Sequence, residues 1–183
     1  MRAVRAGLTA LVGATLLLVA LPGLASAATT GTITATFTLT GGAISITVPG
    51  TTVKLGSVSV AAGTVSGQLG TITIKDNRGL LNGGWTDTVS SSHFTIGAAP
   101  ETIAATNVAY WSGAATESLG LSTLEGIQLT SAAAVAINAA QTAFTAGSLI
   151  GNNSASWNPT LVVTIPAAAV VGTYTGTVTH TVA

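Results

Sequence analysis

Apolar residues fall on every second position over much of this chain, the spacing of strands that turn one face to a core and the other to water. Residues 31–40 read Gly-Thr-Ile-Thr-Ala-Thr-Phe-Thr-Leu-Thr, with Ile33, Ala35, Phe37 and Leu39 on one face and threonines on the other. A half-buried strand is expected there. Gly41-Gly42 marks a turn, after which Ile44, Ile46 and Val48 alternate as far as Pro49-Gly50. Further strands are expected over 53–60 and over 68–76, the second with Ile72 and Ile74 inward. After a loop over 78–83, residues 84–90 place Trp85 and Val89 on one face.

Residues 101–111 form a weaker strand pattern. Ser122-Thr123-Leu124-Glu125 matches a helix capping box, but Gly126 follows at once, which argues against a long helix. Residues 132–143 read either as an alanine-rich helix or as a poorly amphipathic strand, and the Thr-, Gly- and Asn-rich flanks favour short strands. The pattern is clearest near the C-terminus. Trp157, Pro159, Leu161, Val163 and Ile165 share one face, Pro166 ends that strand, and 167–171 makes a corner. A last strand over 172–182 then carries Tyr174, Gly176, Val178, His180 and Val182 inward. A tyrosine just beyond such a corner resembles the tyrosine corner of Greek-key sandwiches, whose hydroxyl bonds back to upstream backbone. Many short strands, Gly/Pro/Asn turns and the lack of a long amphipathic helix predict an all-β fold: an antiparallel, Greek-key-like β-sandwich.

The first residues change the picture of where that sandwich works. Met1, Arg2 and Arg5 precede an apolar run from 6 to 21, then Pro22-Gly23 and the small residues Ala25-Ser26-Ala27. This order of basic, apolar and small-residue regions is that of a cleaved secretory signal. The run falls short of the ~20 residues of a spanning helix, so no membrane anchor is expected after cleavage. The expected organisation is a signal peptide over 1–27 and one β-sandwich domain over 28–183, secreted and exposed to the cell exterior.

Cleavage removes both N-terminal arginines. Lys54, Lys75 and Arg78 then face Asp76, Asp87, Glu101, Glu117 and Glu125. So sparse a charge cannot displace nucleic-acid counterions or hold anionic lipid, and neither partner is expected. The chain has no cysteine. An exported domain without disulfides relies on packing and sheet hydrogen bonds alone, and thiol chemistry is excluded.

Candidate chemistry is thin. His93 and His180 are the two histidines, and no Gly-x-Ser-x-Gly elbow is present. His180 belongs to an inward-facing row and reads as a core or rim residue. His93 reads as part of a turn. Asp76, Asn77, Asn82 and Asp87 could offer oxygens to Ca²⁺ but match no ordered loop such as the EF-hand, so neither a metal nor a cofactor is expected. Strand parity places Asp76 and Arg78 on the face of Ile72 and Ile74, and Asp87 between Trp85 and Val89. Carboxylates there need a partner, because an unpaired buried charge is costly. The expectation is a structural Asp76–Arg78–Asp87 cluster at one end of the core. Trp85 and Trp157 read as core plugs. Of the adjacent pair Tyr110 and Trp111, one faces in and the other is left as an exposed platform for a ligand such as a sugar ring.

Two stretches carry a family resemblance. One is Ile74-Lys75-Asp76-Asn77-Arg78-Gly79 followed by Gly84-Trp85-Thr86-Asp87-Thr88-Val89-Ser90. The other is Pro159-Thr160-Leu161-Val162-Val163-Thr164-Ile165-Pro166 followed by Gly172-Thr173-Tyr174-Thr175-Gly176-Thr177-Val178-Thr179-His180-Thr181-Val182. Their order and spacing resemble the WxL domain of Gram-positive surface proteins over most of 28–183. Where that family has two Trp-x-Leu motifs, this chain has Trp85-Thr86-Asp87 and His180-Thr181-Val182. The resemblance implies a β-rich exported module held noncovalently on the cell wall through peptidoglycan or another wall polymer, with other surface proteins as further partners. A second reading is a self-assembling structural subunit joined by edge-strand pairing. A secreted hydrolase is a remote third, given so few catalytic groups.

Overall fold

A computed structural model describes residues 31–50, 52–97, 101–120 and 123–183. The expected signal peptide, 1–27, and Ser122 of the capping-box match lie outside the described residues. The chain divides into two units, Met1–Phe37 and Thr38–Ala183. In the first, residues 31–37 have no regular secondary structure.

The strands of the second unit are β1 (Ile44–Thr47), β2 (Thr64–Gln68), β3 (Ile72–Asp76), β4 (Leu81–Ser91), β5 (Phe94–Thr95), β6 (Thr102–Ile103) and β7 (Val108–Trp111). They continue with β8 (Ala115–Leu119), β9 (Thr123–Gly126), β10 (Val135–Ala136), β11 (Gln141–Ile150), β12 (Asn153–Trp157), β13 (Thr160–Thr164) and β14 (Val178–Val182). Among the described residues the helical elements are three single 3₁₀ turns, at Val60–Ala62, Ala105–Asn107 and Ser131–Ala133. The fold is an all-β sandwich with antiparallel pairing throughout.

One layer is the sheet β14-β4-β11-β9. The other consists of two sheets, β1-β3-β12-β8 and β10-β7-β13-β2, whose strands run on into one another. β2 leads through three residues into β3, β7 through three into β8, and β12 through Asn158-Pro159 into β13. At the join Leu69 N–H donates to Pro159 O at 2.9 Å and Gly70 N–H to Asn158 Oδ1 at 3.1 Å. The result is one kinked layer. Proline lacks an N–H for the ladder, which is why the expected continuous run from Trp157 to Ile165 breaks here.

The core has two halves that follow this kink. Ile72, Ile74, Ala155 and Trp157 meet Trp85, Phe144 and Ala146 in one. Val108, Tyr110, Leu161 and Val163 meet Val89 and Ala143 in the other. Both Ala143 and Phe144 are buried because β11 bulges between Thr142 and Phe144, so two successive residues turn inward. Trp157 stacks on Phe144 with centroids 4.6 Å apart and donates its indole N–H to Tyr110 Oη at 3.1 Å, which joins the halves.

Two expected strands are absent. Residues 31–40 form none, and Ile33, Phe37 and Leu39 are 96%, 85% and 86% exposed. Alternation supplies two faces but not a neighbour, and the first paired strand begins only at Ile44. Residues 52–59 are likewise irregular. Leu55 leans on Gly67 of β2 instead, where any side chain at 67 would crowd it. The 101–111 pattern is divided between β6 and β7 by a 3₁₀ turn, and 132–143 holds the end of another 3₁₀ turn, the two-residue β10 and the start of the long β11 in place of an alanine-rich helix.

Candidate functional site

The residues singled out by sequence converge on β3, β4, β12 and β14. The long strand β4 buries Trp85, Asp87 and Val89 and turns Thr86, Thr88 and Ser90 the other way. β14 pairs with it, Val182 opposite Asp87 and His180 opposite Val89. The triplets Trp85-Thr86-Asp87 and His180-Thr181-Val182 therefore lie on adjacent strands. The ladder continues to Thr86 and Ala183, which exchange hydrogen bonds of 2.9 and 3.0 Å.

The expected three-membered ion cluster is corrected. Arg78 and Asp76 form a fork, with Nε to Oδ1 at 2.8 Å and Nη2 to Oδ2 at 2.9 Å. The Arg78 backbone N–H adds a third bond to Oδ1 at 3.0 Å. The hydrogen bonds from the Arg78 side chain hold the Asp76 carboxyl below the ordinary carboxylate range, against the opposing effect of burial. Asp87 is not part of this group. Its Oδ2 lies 2.7 Å from His180 Nδ1, and both side chains are buried. The reason is register: β14 sets His180 opposite Val89, diagonally within reach of Asp87, while Arg78 sits in the turn beyond β3, donating its spare Nη2 proton to Gly84 O at 2.7 Å.

Burial pushes the Asp87 carboxyl up, and the hydrogen bond to His180 opposes that only in part. Tyr110 packs on the imidazole, ring centroids 5.6 Å apart, and Trp157 meets it edge-on at 6.4 Å. Burial raises the Tyr110 phenol above its usual range. Asp87 Oδ1 and His180 Nε2 are buried with no hydrogen-bond partner among the described residues. A carboxylate–imidazole pair is two-thirds of a catalytic triad; among the described residues no hydroxyl reaches Nε2, and both side chains are buried. The contact ties β14 to β4.

Asn153 escaped the sequence reading. Its Oδ1 accepts the Trp85 indole N–H at 3.0 Å and its amide reaches Asp76 Oδ2 at 3.4 Å, linking the plug to the ion pair. Residues 153, 155 and 157 alternate inward, and that parity was the available signal; the Asn152-Asn153 dipeptide reads as a turn instead.

Of the adjacent aromatic pair Tyr110 is fully buried and Trp111, on the other face of β7, is half-buried. Trp85 and Trp157 are core plugs. Tyr174 donates its hydroxyl to Val170 O at 3.1 Å, inside the corner that precedes it. Gly176 is required where it is, because a Cβ there would enter the Phe94 ring. His93 accepts the Ala105 N–H on Nδ1 at 3.1 Å and so staples the turn ahead of β7.

The outer face of the β14-β4-β11-β9 sheet is different in kind. Thr86, Thr88, Ser90, Thr145, Thr179 and Thr181 line it. An open depression of about 480 Å³ lies between Gly84, Thr86, Thr145, Gly147 and Ala183, with Glu125 at its side. Among the described residues no three His, Cys, Asp or Glu gather as a metal site would require, and no helix is long and apolar enough to cross a membrane.

Compared with known proteins, the chain matches no family model, no curated protein and no solved structure.

Proposed function

We propose that this protein is an exported, non-catalytic β-sandwich that attaches noncovalently to the cell wall, with the hydroxyl-rich face of the β14-β4-β11 strands against a wall polymer such as peptidoglycan. The supporting observation is the pairing of the two Trp-x-Leu-equivalent triplets. Their outer residues Trp85, Asp87, His180 and Val182 anchor inside the core, while their middle threonines, Thr86 and Thr181, open on one face beside the depression. Hydroxyls and backbone around a shallow hollow suit an uncharged, hydrated glycan better than an ionic partner. The acidic balance, with Glu125 the charge at the hollow, keeps polyanions away.

Purified chain from Ala28 onward is expected to sediment with peptidoglycan sacculi at micromolar concentration. Thr86→Glu/Thr181→Glu should weaken that sedimentation at least fivefold while leaving the thermal midpoint in place. Protein that stays in the supernatant across salt and pH ends the wall-binding reading.

A further inference from the structure

Residues 32–40 combine three properties that seldom coexist in a lone chain. They alternate strictly, they carry no charge, and their apolar face is open to water. A strand of this kind has every feature of a sheet member except a neighbour.

The sandwich presents edges of unequal quality. β8 carries Glu117 and β9 carries Glu125, charges that discourage strand addition. β14 carries no Asp, Glu, Lys or Arg. The exchange between Thr86 and Ala183, and the bond from Ser92 N–H to Thr177 O at 2.9 Å, fix which residues face β4. In an antiparallel ladder those are 177, 179, 181 and 183, so the N–H and C=O groups of Val178, His180 and Val182 point to the open edge. Behind that edge, Val178 and Val182 are only half-buried, and so are Ile44 and Ile46 of the neighbouring β1.

We propose that the 32–40 arm of one copy adds as a strand to the β14 edge of a second copy. Nine extended residues span about 30 Å, enough to run the length of five-residue β14. Ile33, Ala35, Phe37 and Leu39 then cover the half-buried flank of Val178, Val182, Ile44 and Ile46, while the threonines extend the hydroxyl face. Each copy has one arm and one β14 edge, so the contact is heterologous and propagates into chains of subunits. This assembly does not depend on wall binding, and either can fail alone.

The test is sedimentation velocity of the chain from Ala28 over a hundredfold concentration range, with residue-resolved amide exchange at both extremes. Expected are concentration-dependent oligomers and protection of the 178, 180 and 182 amides that appears only in them. Phe37→Lys/Leu39→Lys, at two exposed positions, should abolish both without moving the thermal midpoint. A monomer at every concentration overturns the proposal, as do oligomers that survive the lysine pair. Protection of β14 in a monomer, which means the arm folds on its own edge, overturns it too. Arm-dependent oligomers whose new protection lies on β1, β8 or β9 overturn the assignment of the β14 edge.

Discussion

Two buried carboxylates, Asp76 and Asp87, sit on the core faces of different strands and are treated in opposite ways. Asp76 lies at the rim, where an arginine side chain that is 28% exposed brings a forked hydrogen bond. Its carboxyl is held low. Asp87 lies where the two core halves meet, with an imidazole for a partner and one oxygen unpaired. Its carboxyl is pushed up. The difference is solvent. Near water a cation keeps most of its hydration and the pair stabilises; deep inside, desolvation outweighs what one hydrogen bond returns.

Breaking the interior pair should have the largest effect. His180→Leu leaves Asp87 buried without its partner, and a loss of about 3–5 kcal/mol is expected at pH 7 in denaturant melts. The variant should regain stability as pH falls, since protonation removes the stranded charge. A flat pH response in His180→Leu would show that Asp87 is not the group at fault.

Arg78→Met tests the rim. Charge-assisted hydrogen bonds are worth about 1.5–3 kcal/mol, and Asp76 retains its bonds to the Arg78 backbone N–H and Asn153. The loss should therefore fall at or below the lower bound. The deficit should shrink in acid here too, although Asp76 itself contributes with the opposite pH dependence from Asp87. Asp76 has a folded value below its unfolded one, so its contribution is present above about pH 4 and disappears as pH drops through the folded value. Wild type and Arg78→Met should converge in acid. Asp87 works the other way: with its folded value raised, its contribution is full below the unfolded value and declines as pH rises through the folded one.

The smallest effect is expected from Tyr174→Phe, which deletes a single bond to Val170 O at a half-buried site. About 0.5–1.5 kcal/mol should be lost with no change in the denaturant slope. An unchanged midpoint would show that the corner is held by packing of the ring alone.

Much of this architecture was legible from alternation. Ile72 and Ile74, Trp85 and Val89, and the row from Tyr174 to Val182 all face as parity indicates. Parity failed where a strand needs a neighbour as well as two faces, as over 31–40 and 52–59. The same limit explains the ion pairs. Arg78 is two residues from Asp76, and their pairing follows from local geometry. The partner of Asp87 depends on the register of β14 against β4, which no local pattern specifies. The hydroxyl face was visible only as scattered threonines until the sheet order set Thr86 beside Thr145 and Ala183.

The Asp87–His180 contact spans 93 residues of sequence. A ribosome delivers the carboxylate long before the imidazole that complements it, and the strand carrying Val178–Val182 arrives last of all the described strands. Until then β4 offers a charged group where a dry interior must form, and the layers cannot shut over it. The buried carboxylate thus gains its partner only once the last described strand has been made.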